Sequence, residues 1–250
     1  MIIPARFNGP DGSGNGGYTC GLVAQLLGGG AGRASAADLG PPIEVTLRVP
    51  PPLGTRLSVV RAAGPDRDDG PGHETIEVYA GTTLVAQAHP TAPLGAPVPP
   101  VSLAGAAEAS RAYPGFAEHP FPACYVCGPQ RPRGDGLRVF PGRLPDGRTA
   151  APFTAPADVS AATIWAALDC PGGWAVISPG RAYVLGRLAA AVSTLPRPGE
   201  HCVVVGACEA VDGRKAFVAT SLYGPTGALV GTARATWIAL PPAADATSRT

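Results

Sequence analysis

Two stretches of β-type sequence in this chain are related by one fixed shift, and that relation constrains the fold more than any single motif. The shift that carries Gly54 onto Gly199 also carries Val59-Val60 onto Val204-Val205 and Leu84-Val85 onto Leu229-Val230. It carries Ala88 onto Ala233 and Thr91 onto Thr236 as well. Isolated matches among small residues arise by chance in a chain with 34 Gly and 30 Pro, but one unbroken offset across separate blocks is what a duplicated unit leaves behind.

Each β block follows a helix candidate, so the repeated unit reads as a helix and then an antiparallel meander. In the first half, residues 1–7 form a short apolar strand candidate and 8–17 a Gly/Asn loop. A short helix follows over 18–27, stopped by Gly at 28–32. Residues 43–49 alternate, 50–54 turn, and 57–61 are apolar and β-branched. Residues 66–72 form a solvated turn, and 75–80 with 83–88 flank Gly81 as a hairpin. In the second half, CYVCGPQRPRGDGLRVF and a polar turn lead into a helix over 159–176. Strands are expected at 183–192, 202–211, 216–222 and 229–240.

Between the halves, 96–122 is rich in Pro and Ala, with one helical turn around 104–111. It is expected to pack on the outside and contribute little core. The layout is therefore a first repeat over 1–95, a linker over 96–122, a second repeat over 123–241 and a polar tail over 242–250.

The 159–176 helix holds the candidate for chemistry. Ile164, Ala167, Leu168, Cys170 and Trp174 fall near helical spacing, Ser160 can cap the start, and Pro171-Gly172-Gly173 breaks or bends the end. Asp169 sits inside this apolar segment. It must point to solvent, find a partner or be poised in a site. The repeat shift sets Asn15-Gly16-Gly17 against Ser160-Ala161-Ala162, and Ala24 against Asp169. Each half keeps what the other lacks. A Gly-Gly helix start can present free N–H groups to an oxyanion, while the plainer reading of residues 12–17 is a flexible loop.

Composition closes off other classes. A net charge of +1 provides no field for nucleic acid. No 18-residue apolar run spans a membrane, and the start lacks the features of a signal peptide. Six cysteines in 250 residues are too sparse for a disulfide scaffold, so a cytoplasmic protein with reduced thiols is expected. Cys124-x2-Cys127 with His119 upstream offers three zinc ligands and lacks an evident fourth. The plainer reading is a tight turn with two small apolar thiols, and no metal or other cofactor is expected. Cys20 and Cys170 read as core or pocket residues. No cysteine triad has a workable spacing, and His73, His89 and His201 show no metal spacing. No phosphate-binding Gly fingerprint follows a predicted strand.

The Gly-Gly helix start, the acid two turns on in the repeat mate, LDCPGGWA and CYVCGPQRPRGDGLRVF together carry a resemblance. The chain resembles the hotdog-fold acyl-CoA thioesterases in a tandem arrangement, close to the phenylacetate-type branch. The resemblance covers about residues 1–95 and 124–240. It implies an α+β double hotdog, each repeat a sheet wrapped around a central helix, as a monomer or a homodimer of double hotdogs. It implies one composite site between the halves, acting on an acyl group carried by CoA or an acyl carrier. Gly16 and Gly17 would supply amide donors, and Asp169 would be the general base or nucleophile. Asn8, Asn15, Tyr18, Cys20 and Trp165 would contact substrate, and Arg131, Arg133 and Arg138 would either meet CoA phosphates or form a solvated face. Ala24 and Ser160-Ala161-Ala162 would line a dead second site. The chain departs from the family pattern in having no complete site within either repeat and no clear Ser or Thr to orient water. A non-catalytic double hotdog binding an acyl or hydrophobic ligand, and a hydratase or dehydratase on the same fold, remain the alternatives.

Overall fold

The computed structural model describes residues 1–27, 41–64 and 74–241. The alternating IEVTL forms β1 (Ile43–Leu47), followed by β2 (Ser58–Ala63), β3 (Glu74–Ala80) and β4 (Thr83–Pro90). Gly81 supports the tight β3–β4 turn with a φ of 62°, a left-handed value that glycine adopts without penalty. In the second half come β5 (Gly142–Arg143), β6 (Thr149–Thr154), β7 (Tyr183–Val192), β8 (His201–Asp212), β9 (Lys215–Tyr223) and β10 (Leu229–Ala239). These ten form one antiparallel sheet in the order β2-β3-β4-β1-β7-β10-β9-β8-β6-β5.

The duplication is visible in the register. The first-half order β2-β3-β4-β1 recurs as β8-β9-β10-β7, and the halves join where β1 meets β7. Glu44 and Ala189, which the repeat shift makes equivalent, face each other there. The pairs Ile43–Ala190 and Val45–Leu188 on either side are exchanged by the same shift. Ile43–Pro90 and Val45–Ala88 likewise map onto the observed Leu188–Ala235 and Ala190–Ala233. This is the pairing a pseudo-twofold between two copies of one unit requires. Val59 and Val204 lie on the equivalent strands β2 and β8, but their burial differs. Val59 is 37% exposed on an edge strand, whereas Val204 is fully buried between β6 and β9.

The helices obey the same symmetry. In α1 (Gly16–Leu27), a methyl group added at Gly21 would lie 2.6 Å from Ala162 Cα in α3 (Ala161–Ala167). One added at Gly17 would lie 3.1 Å from Ala166 Cα, and the repeat shift interchanges these two contacts. Small residues at the crossing let the helix backbones meet. A main core shared by both halves results, with Val23, Val45 and Ile76 of the first half joining Ile164, Leu188 and Leu222 of the second.

Four local expectations are corrected. The 159–176 helix is two helices, α3 and α4 (Cys170–Trp174), broken at Leu168-Asp169. Pro171 does not end the helix. It lies in the first turn of α4, where a missing N–H costs nothing. Residues 1–7 are not a strand. Pro4 has no N–H for a ladder, a 3-10 turn covers Ala5–Phe7, and Ile3 is buried beneath the 51–57 segment. Strands β5 and β6 replace the expected polar turn. Finally, 96–122 is more than an outer strap. Its α2 (Leu103–Arg111) buries Ala106 and Ala109, Val98 and Ala106 pack with Val203 and Val205, and Tyr113 enters the main core. Residues 66–72, the Gly run at 28–32 and the tail at 242–250 lie outside the described residues. Among the described residues, no helix is long and apolar enough to cross a membrane.

Candidate active site

Asp169 owes its position to the break between α3 and α4. Ser160 caps α3 through a reciprocal pair with Thr163, and the helix turns inward after Leu168. Then α4 is pressed onto the sheet. A side chain at Gly172 would strike Val218 at 2.6 Å, and one at Gly173 would strike Trp237 at 2.5 Å. Thr149 Oγ1 donates to the Pro171 carbonyl at 2.7 Å. The carboxylate is thereby held at the helix junction with 2% exposure.

It faces the start of α1, 152 residues away in sequence. The Gly17 amide donates to Asp169 Oδ2 at 2.9 Å, and Asn15 Nδ2 lies 3.3 Å from the same oxygen. Oδ1 has no hydrogen-bond partner. Burial pushes the Asp169 carboxyl up to about 7, opposed by the Gly17 amide, with the Cys124 sulfur pushing it further up and the Asn15 amide lowering it. Asn15 is also the cap of α1: its Oδ1 accepts the Tyr18 amide at 2.8 Å.

Asp169, Asn15 and Gly16 line a cavity of about 420 Å³ between the halves, walled mainly by Phe121, Trp174, Leu185, Trp237 and Ile238. Arg48 and Arg214 are the cationic residues on its lining. Two buried polar atoms without partners, Asp169 Oδ1 and Trp237 Nε1, belong to residues that line this cavity.

The expected residues divide. Asp169, Gly16, Gly17 and Asn15 come together. The Gly17 amide is not a free oxyanion donor, because the carboxylate takes it; among the described residues, no hydrogen bond engages the Gly16 amide. Asn15 holds Asp169 and caps α1, which occupies its polar atoms. Asn8, Tyr18, Cys20 and Trp165 do not line the cavity. Asn8 bonds the Ala123 carbonyl at 3.0 Å, and Tyr18 stacks on Phe7 at 3.8 Å. Cys20 is fully buried in the core and Trp165 packs against Gly21. Arg131 is a structural clamp, bonding the carbonyls of Ala123 and Arg6, the Asn8 side chain and Asp135. His89 faces Glu44 and His201 faces Thr154, while His73 lies outside the described residues. Ala24 and Ala162, which the repeat shift sets at the counterpart of the site, are both buried, and neither lines this cavity.

The sequence reading missed the cavity walls and one cluster. Cys124, Cys127 and Cys170 converge, their sulfurs all within 4.8 Å of one another. The neighbouring Cys127 and Cys170 thiols hold Cys124 well below the usual thiol range, helped by the Val126 and Cys127 amides. His119 Nδ1 accepts the Phe121 amide at 2.8 Å, and Nε2 lies 3.4 Å from Cys127 Sγ. Both ring nitrogens are therefore engaged away from Asp169, and the carboxylate–imidazole pair of a hydratase is not formed among the described residues. Only the CxxC spacing hinted at this cluster; Cys170 is supplied by the fold.

Neither a protein-family model nor a curated protein matches this sequence. Solved structures do. A candidate thioesterase from Novosphingobium aromaticivorans DSM 12444 superposes with a TM-score of 0.59 at 16% identity, covering 95% of this chain and 93% of that one. The tesB protein of Mycobacterium avium subs paratuberculosis gives 0.60 at 10% identity, covering 96% and 91%. A conserved protein of unknown function with a hot dog fold from Alicyclobacillus acidocaldarius gives 0.54 at 11%, covering 96% and 92%. At these identities the likeness shows the fold, and the chain is a double hotdog.

Proposed function

We propose that this double hotdog hydrolyses an acyl thioester at the cleft between its halves that Asp169 lines. The observation that carries the reading is the unpartnered Oδ1 of buried Asp169, aligned by a helix-start amide at the wall of an apolar cavity. An acyl chain fits such a wall. Oδ1 would take the proton of a water as that water's oxygen attacks the thioester carbonyl carbon. The C–S bond then breaks, and the sulfur leaves as a thiolate. The Gly16 N–H, at the positive end of α1, would stabilise the charge developing on the carbonyl oxygen. Arg48 and Arg214 would meet phosphates if the carrier is CoA.

The test is hydrolysis across a panel of acyl-CoA and acyl-pantetheine thioesters by the wild type and Asp169→Asn. The asparagine keeps an oxygen for the Gly17 amide and loses the base, so kcat should fall by about 100-fold or more with little change in ligand affinity. Hydrolysis by the variant at the wild-type rate would remove the mechanism and leave a cavity that binds an acyl ligand without turning it over.

A further inference from the structure

We propose that Cys124, Cys127 and Cys170 form a zinc site beside the cleft. Two of the three come from a compact turn and the third from the start of α4, 43 residues further on, so no sequence spacing announces the set. Their sulfurs lie within 4.8 Å of one another. A tetrahedral zinc with Zn–S bonds of about 2.3 Å separates its sulfurs by about 3.8 Å, so closing by no more than about 1 Å brings the thiolates into place.

The surroundings suit thiolates bound to a cation. Cys124-Tyr125-Val126-Cys127-Gly128 is wound so tightly that a side chain at Gly128 would lie 2.5 Å from both the Cys124 nitrogen and the Pro122 carbonyl. The Gly128 amide closes the turn onto the Cys124 carbonyl at 2.9 Å. Asn15 Nδ2 approaches the Cys124 sulfur at 3.8 Å. His119, with Nδ1 accepting the Phe121 amide, carries its proton on Nε2 and donates it to the Cys127 sulfur. N–H donors around the sulfurs offset the excess negative charge that three thiolates leave on one divalent ion. His119 is thus a donor to a ligand, and three sulfurs are the ligand set. All three cysteines border the cleft, which leaves the fourth position to a water from that side.

The ion would tie the 119–128 segment to α4 immediately after Asp169. This assignment is independent of thioester hydrolysis, and its test reads metal. Purified full-length protein, grown with zinc and kept reduced, should retain about one zinc per chain by elemental analysis after dialysis. Cobalt exchange should give an intense thiolate charge-transfer band and the visible bands of a tetrahedral ion. Cys124→Ser, Cys127→Ser and Cys170→Ser should each lose the metal, while Cys202→Ser and Cys208→Ser keep it. Only trace zinc in reduced, zinc-incubated wild type, a Cys124–Cys127 disulfide under reducing conditions, or full zinc retention by Cys170→Ser would overturn the site. If a serine variant does not fold, the cobalt spectrum of the wild type decides: absence of the thiolate band rejects the assignment.

Discussion

Gly17 shows how tightly the site is packed. A methyl group there would lie 2.5 Å from Asp169 Cβ and 2.7 Å from the Trp165 carbonyl, neither of which can yield. Gly17→Ala should therefore lower stability by about 1–3 kcal/mol in denaturant titration. Gly16 differs. Its added methyl would meet Leu185, at 2.8 Å from Cδ2 and 2.9 Å from Cβ; rotation moves Cδ2 away but leaves Cβ, which the β7 backbone holds in place. Gly16→Ala should lower activity by narrowing the cleft and cost some stability where the methyl presses on Leu185 Cβ, and adding Leu185→Ala, which keeps that Cβ, should restore only part of either. Arg214→Ala should raise KM several-fold for CoA thioesters and leave acyl-pantetheines, which lack the nucleotide phosphates, almost unaffected. The meeting of Asp169 with Gly17 was legible in advance, because the repeat shift showed each half keeping half of a site. The second duty of Asn15 was not. An asparagine before a glycine pair reads equally as a cap, a loop residue or a ligand donor, and only the fold brings the carboxylate to it.

At the scale of elements, α3 is short and depends on its start. Ser160 Oγ accepts the Thr163 amide at 3.3 Å, and the Ser160 amide donates to Thr163 Oγ1 at the same distance. Ser160→Ala should cost about 1 kcal/mol, read as a lower unfolding midpoint with an unchanged m-value. Strands with strong alternation, such as β1 and β7, could be read directly. β6 could not: TAAPFT has two alanines and a proline where β-branched residues would signal a strand, and its pairing with β8 supplies the order. The α3–α4 break was hidden for a related reason. Apolar periodicity runs unbroken from Ile164 to Trp174, while the change of axis comes from α4 pressing on Val218, Thr220 and Trp237.

For the whole molecule, the shared β1–β7 pairing and common core argue that the two repeats unfold together. All three tryptophans, Trp165, Trp174 and Trp237, lie in the second half. Fluorescence therefore reports that half, and far-ultraviolet circular dichroism reports both. The two denaturation curves should coincide. A separate earlier transition in circular dichroism would show that the first half melts alone. The alanine that stands at position 24, where the repeat mate is Asp169, has a further consequence for change over time. In a dimer of identical hotdogs every substitution falls on two clefts at once, so a residue improving one role must be tolerated in its mirror role. Here a change at Ala24 leaves Asp169 untouched. The linked copies can drift toward unlike tasks, one half free to alter what it presents to a ligand while the other holds its carboxylate fixed.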